Sequence, residues 1–208
     1  MLKTINLITL ILGVIALSSC SKVDPNTQID EGTISDGYYT SEEIGWTMRI
    51  PDGWTILSRK KVDEFERKGS ELIGDTLGED LDFQGLKNLL DLQKDQFNIF
   101  QSTSQPFEVE YDGEWEETNE ALKDVLLETF QNQGIKAAIS ETRIENIDGV
   151  VFNIYDTTIF APDGKVILHQ TMYSSLINGY DFGANLSYNN EDFRDIMLTA
   201  WRESKFKK

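Results

Sequence analysis

The stretch IKAAISETRIENIDGVVFNIYDTTIFAPDGKVILHQTMYSSLINGYDFGANLS (residues 135–187) decides the fold. Three dipeptides punctuate it: Asp148-Gly149, Asp163-Gly164 and Asn178-Gly179. Each suits a tight hairpin, because two-residue turns require positive φ, which Gly adopts freely and Asn or Asp tolerates. Residues 135–147, 150–160, 166–177 and 180–187 therefore read as four strands of an antiparallel meander. On the last strand Tyr180, Phe182, Ala184 and Leu186 share one face, and Asp181, Gly183, Asn185 and Ser187 share the other.

Working outward, Asn189 or Asn190 caps a final helix. Phe193, Ile196, Met197, Ala200 and Trp201 follow at i, i+3, i+4, i+7 and i+8, a stripe that faces a core. Lys205, Lys207 and Lys208 end that helix, where cations favour the dipole. On the other side of the meander, Trp115 to Gln133 gives the longest helical signal, with Leu122, Val125, Leu126 and Phe130 as its stripe and Gly134 as its stop. Phe107, Val109 and Tyr111 alternate with Glu108, Glu110 and Asp112, the period of a strand with one wet face. Phe97 to Phe100 reads as a further strand. Phe83, Leu86, Leu89 and Leu90 suggest a helix, residues 74–80 a loop, and Lys60 to Ser70 a short helix with Val62 and Phe65 turned inward. Trp46, Met48 and Ile50 alternate with Thr47 and Arg49, Pro51-Asp52-Gly53 supplies a turn, and Trp54, Ile56 and Leu57 begin the return. Tyr38 and Tyr39 suggest a short strand. A meander with one-sided helices gives an α+β architecture in which helices cover an antiparallel sheet.

The chain begins with Lys3 and an apolar run from Ile5 to Leu17, shorter than the ~20 residues that span a bilayer but suited to a signal peptide. Leu17-Ser18-Ser19-Cys20 resembles the lipobox of bacterial lipoproteins, which implies cleavage before Cys20 and acylation of its thiol. The expected organisation is a signal peptide over 1–19, a lipidated N-terminus and flexible tether over 20–36, and a single domain over 37–208. Two or three acyl chains hold firmly, since each buried CH₂ contributes about 0.8 kcal/mol. The expected location is the bacterial cell envelope, with the domain outside the cytoplasm. Cys20 is the one cysteine, so no disulfide forms within the chain and stability falls to the core.

Tyr39, Gly45-Trp46, Ile50-Pro51 and Gly53-Trp54 resemble the opening of PsbP-like and DcrB-like domains. Those begin with an extended segment, a Pro-x-Gly-Trp turn and a return strand, then run through helix, strands, helix, meander and closing helix. The resemblance spans residues 37–206 at the level of elements. It implies an α/β/α sandwich and no reaction. Its members are photosystem extrinsic subunits, a nuclear-transport GTPase-binding protein and bacterial envelope lipoproteins, and no catalytic motif carries over.

The net charge of −17 repels nucleic acid and anionic headgroups, so nucleic acid is not an expected partner. Nucleophilic catalysis needs a nucleophile, a base and an orienting group. The single histidine, His169, lies within a strand segment and has no motif around it; Gly-x-Ser-x-Gly and phosphate-cradling loops are absent from the sequence. One His and no available thiol disfavour zinc, and neither metal nor cofactor is expected. Trp46, Trp54, Trp115 and Trp201 sit at apolar-pattern positions that suit core packing. Glu108, Glu110, Asp112, Glu114, Glu116, Glu117 and Glu120 form a run without one basic residue. Such a run binds a cation or a basic partner, or is simply a solvated strand face leading into a helix N-terminus, where acids favour the dipole. Asp75, Glu79, Asp80 and Asp82 form a second acidic stretch. The function expected is a membrane-anchored, non-catalytic binding or accessory module whose partner is another envelope protein or a small ligand. The alternative is a carboxylate-based envelope hydrolase, which needs two acids facing one cleft.

Overall fold

The computed structural model of the chain describes residues 23–78 and 85–207. Residues 1–19, expected to be a signal peptide, and Cys20 and Phe83 lie outside them. Among the described residues three α-helices and two antiparallel sheets make an α+β fold.

The meander forms the heart of the larger sheet. Its strands are β8 (Lys136–Ile139), β9 (Arg143–Ile147), β10 (Val150–Phe160), β11 (Val166–Ile177) and β12 (Tyr180–Tyr188). What reads as one strand over 135–147 is two, broken at 140–142, and both pair with β10. Two of the three turns have positive φ at both central residues: Asp148 (51°) with Gly149 (88°), and Asn178 (53°) with Gly179 (81°). The third is wider. Only Gly164 has positive φ, Gly164 N–H bonds Ala161 O, Ala161 N–H bonds Lys165 O, and the register shifts at Phe160. This is the three-residue hairpin in which a turn ends on a left-handed glycine.

Outside the meander the sheet continues through β7 (Ile99–Pro106), which pairs with β12, then β6 (Leu92–Gln93), β4 (Thr55–Ile56) and, also on β7, β5 (Lys87–Asn88). The smaller sheet has the order β1 (Thr33–Ser35), β2 (Tyr38–Thr40), β3 (Trp46–Arg49), β13 (Lys205–Phe206). Between the sheets runs α3 (Glu191–Arg202), capped by Asn190, whose side-chain oxygen accepts from Phe193 N–H. On the opposite face of the larger sheet lies α2 (Glu114–Asn132), with α1 (Arg59–Leu77) packed on α2.

The core lies between the sheets. Trp201 meets the rings of Trp46, Phe100, Phe152, Tyr173, Phe182 and Phe206 at centroid distances of 5.3–6.3 Å. Trp46 also closes on Tyr39 and donates its indole N–H to Ser204 Oγ at 3.0 Å. Gly45 is required here. Its φ is +72°, and a Cβ would stand 3.2 Å from Lys207 O in the segment that pairs with β3.

Several expectations are corrected. The polar stretch 21–36 is not a free tether in its described part: Asp24 caps a 3-10 turn over Pro25–Gln28, β1 pairs with β2, and Ile29 and Ile34 pack against the core. The described chain before residue 37 is thus already paired and packed against the core. The first helix runs on to Leu77, through half of the expected loop, and Phe65 is exposed. The helix expected over 83–90 is extended chain from Leu86 on. Leu86, Leu89 and Leu90 have helical spacing, but Lys87 and Asn88 pair with β7, and Leu89 and Leu90 are both buried. Phe97 is exposed, and the strand beside it starts at Ile99. The final lysines do not close a helix, because α3 ends at Arg202 and β13 carries Phe206 into the core. Within the α3 stripe Met197, Ala200 and Trp201 are buried and Ile196 is exposed.

Candidate functional site

The acidic run does not lie on a strand. After Pro106 the chain leaves the sheet with one last bond, Phe107 N–H to Gly179 O, and turns through Gly113 (φ 92°) into α2. Val109 and Tyr111 are exposed, so the alternation of acids with apolar residues has no buried face. Glu108, Glu110 and Asp112 stand in this loop; Glu114, Glu116 and Glu117 occupy the first turn of α2, where the unpaired N–H groups and the dipole favour them. Glu114 Oε2 accepts from Glu110 N–H at 2.6 Å, and Glu117 Oε2 accepts from the Tyr111 hydroxyl at 3.1 Å. That bond to a carboxylate holds the Tyr111 phenol above its ordinary range.

Glu120 is set apart by a buried cation. Lys123, 8% exposed, pairs with Glu120 and donates to Thr142 Oγ1 at 3.0 Å, while Thr142 donates to Glu120 at 2.9 Å. The Lys123 ammonium first, then the Thr142 hydroxyl, hold the Glu120 carboxyl below the usual range. The seven acids therefore follow one loop and one helix rather than converging. Among the described residues, no group of three or more His, Cys, Asp or Glu is placed to hold a metal ion.

Two groups under α2 carry no signal in the sequence. Trp115 donates its indole N–H to Asp181 Oδ1 at 2.8 Å, across 66 positions of chain. Burial raises the Asp181 carboxyl, opposed by that bond. Tyr155 lies beside it, 5% exposed, its phenol pushed up to about 12 by burial, with the charges of Asp181 and Glu120 adding. Nothing in spacing links positions 115, 155 and 181; only the alternation of Asp181 onto the face opposite Phe182 hints at it.

His169 lies on the sheet face that carries α3, beyond the end of the aromatic core. Its ring stacks on Tyr188 at 5.2 Å, and its Nδ1 is 3.4 Å from Thr158 Oγ1. The groove it lines has a volume of about 470 Å³ and also holds Arg143, Asp156, Arg194 and Arg202. Each arginine already faces a carboxylate: Arg143 bonds Asp156, Arg202 bonds Glu145, and Arg194 bonds Glu191 and Asp195. Asp156 also accepts from Thr171 Oγ1 at 2.7 Å, and among the described residues the His169 ring meets Thr158 and Tyr188 rather than a carboxylate of the kind that orients a catalytic base.

No helix of the described residues is long and apolar enough to cross a membrane. No family model matches the sequence, and no curated protein matches it significantly. The three-dimensional structure does find a similar fold. The solution structure of cyanobacterial PsbP (CyanoP) from Synechocystis sp. PCC 6803 is similar with a TM-score of 0.55 and 10% sequence identity, over 86% of this chain and 98% of that one. At that identity the likeness concerns the path of the backbone: the chain has the PsbP-like fold.

Proposed function

We propose that the protein is a lipid-anchored, non-catalytic binding or accessory module of a bacterial cell envelope, with its domain outside the cytoplasm. The observation that carries this reading is the short distance in sequence from Cys20, in its lipobox-like Leu17-Ser18-Ser19-Cys20 setting, to the ordered chain at Asp24. Four residues reach at most about 14 Å. Lipid on Cys20 would hold the edge of the small sheet against the headgroups, so the domain works at the membrane surface rather than at the end of a long leash. There even weak binding gains from raised effective concentration. The PsbP-like fold and the dispersed acids support a binding role. A hydrolase would need two carboxylates facing one cleft, and the acids of 108–120 spread along an exposed loop and helix.

Replacing Cys20 with Ala should abolish labelling of the protein by radioactive palmitate and move it from the membrane to the soluble fraction, unless the precursor is retained uncleaved. A Cys20→Ala protein that still incorporates palmitate contradicts the anchoring. A purified wild-type domain that turns over a polysaccharide or ester substrate, and loses this on changing one carboxylate, contradicts the non-catalytic reading.

A further inference from the structure

The sheet face that carries α2 is covered only in part. Beside the N-terminus of α2 lies a groove of about 390 Å³, lined by Val109, Trp115, Val151 and Leu176 with Asp112 and Glu116 among its walls. Val109 is 43% exposed, Val151 54% and Leu176 36%. Ile144, on β9, is 71% exposed and pairs in register with Asn153, another residue of the groove, so the apolar surface extends to the edge of the sheet. Among the described residues β9 pairs only with β10. Aliphatic side chains gathered in one groove and rimmed by polar groups mark a surface that another molecule covers.

The rim says which molecule. Residues 107–122 contain seven acids and no Lys or Arg, and of the seven only Glu120 forms an ion pair among the described residues. A second copy of this chain, at a net charge of −17, brings like charge to that rim, as does an anionic lipid surface. A partner with cations flanking its apolar side chains is complementary. A third observation is independent of charge. Among the described residues the Tyr155 hydroxyl has no hydrogen-bond partner, and Tyr155 lines a cavity of about 10 Å³ together with Glu116 and Asn153, both of which also line the groove. A cavity of that size admits one water-sized group, and a buried hydroxyl without a partner favours any occupant that supplies one.

We propose that this groove docks an extended segment of a partner protein in which aliphatic side chains alternate with lysine or arginine. The proposal rests on the reading of the protein as a binding module and names the class of its partner. An extended segment suits the site, because every second side chain points the same way and the neighbouring edge strand offers unpaired main-chain groups.

The test uses the full-length lipidated protein in detergent and fluorescein-labelled peptides, followed by anisotropy. A peptide alternating Lys and Val should bind, while peptides alternating Lys with Ser, or Glu with Val, should bind at least about tenfold more weakly. The double variants Val151→Ser with Leu176→Ser, and Asp112→Asn with Glu116→Gln, should each weaken the Lys–Val peptide by about tenfold or more, with unchanged circular dichroism. Equal binding of the Lys–Ser peptide, or binding indifferent to Val151 and Leu176, overturns the proposal. So does recruitment of the unlipidated Cys20→Ala chain to phosphatidylcholine vesicles through Val151 and Leu176, which would make the groove a membrane contact. Failure to bind any peptide overturns the groove but leaves membrane anchoring to be judged by palmitate labelling.

Discussion

The two faces of the larger sheet are built on different principles. Toward α3 the sheet presents Phe100, Phe152, Tyr173, Phe182 and Leu186, and α3 and the small sheet close over them with Trp201, Trp46 and Phe206. Toward α2 the buried side chains include Tyr155, Trp115, Lys123 and Thr129, the last three tied by hydrogen bonds and an ion pair to neighbours, and the sheet beyond α2 leaves Val151 and Leu176 in water. Burial of apolar area dominates folding energetics, whereas paired polar groups return little net stability. The aromatic face therefore holds the fold together, and the α2 face is free to differ without unfolding the domain.

The largest expected effect falls on the aromatic face. Trp201 touches rings from both sheets, and its removal leaves a void that so many fixed neighbours cannot fill. Trp201→Ala should cost about 3–5 kcal/mol, read as a fall in the thermal midpoint of roughly 10 °C. A loss below about 1 kcal/mol would mean that the ring cluster is not what holds the sheets together.

A second effect lies where the aromatic core meets α1. Asp91 sits between Leu90 and Leu92, both in the core, and is itself 3% exposed, with no partner for its Oδ2 among the described residues. Burial pushes its carboxyl up to about 7; the Ser102 N–H and Arg59 oppose this, and Asp30 and Glu66 add to it. The folded state thus keeps a proton that the unfolded chain, with its ordinary value of 3.8, has lost. Stability from this group falls as the pH rises from about 4 to about 7 and stays low above that. Asp91→Asn removes the titration, so the variant should gain on the wild type across this window, by an amount on the order of a few kcal/mol. Melting curves taken at steps of pH check it, and a difference between the two proteins that does not change with pH would contradict the burial of a proton at Asp91.

How far the sequence could be read follows the same division. The aromatic face was legible: hairpin dipeptides set the register, and the spacing of Met197, Ala200 and Trp201 set the buried side of α3. Ile196 obeys the same spacing but is exposed. The α2 face was not legible. Leu122 follows the helical stripe yet is 37% exposed, while Lys123 and Thr129 turn inward, because polar partners on α1 and in the 140–142 loop decide what a helix over a half-polar sheet buries. The 107–112 alternation looked like a strand, but β7 already has partners on both sides, leaving no ladder for the segment to join. The spacing of Leu86, Leu89 and Leu90 reads as a helix, but pairing of Lys87 and Asn88 with β7 makes this run buried extended chain. For the candidate site, the acidic residues were visible as a run; that Val109, Val151 and Leu176 stand beside them depends on the pairing of distant strands.

The central claim is that stability belongs to the aromatic face and the groove beside α2 is spare for binding. The most direct test is the urea unfolding curve of the double variant Val151→Ser, Leu176→Ser beside those of the wild type and Trp201→Ala. Side chains that are already a third to a half exposed lose little on truncation, so the double variant should lie within about 0.5 kcal/mol of the wild type. A midpoint lowered as far as that of Trp201→Ala would show the groove residues to be part of the core, and would contradict the account.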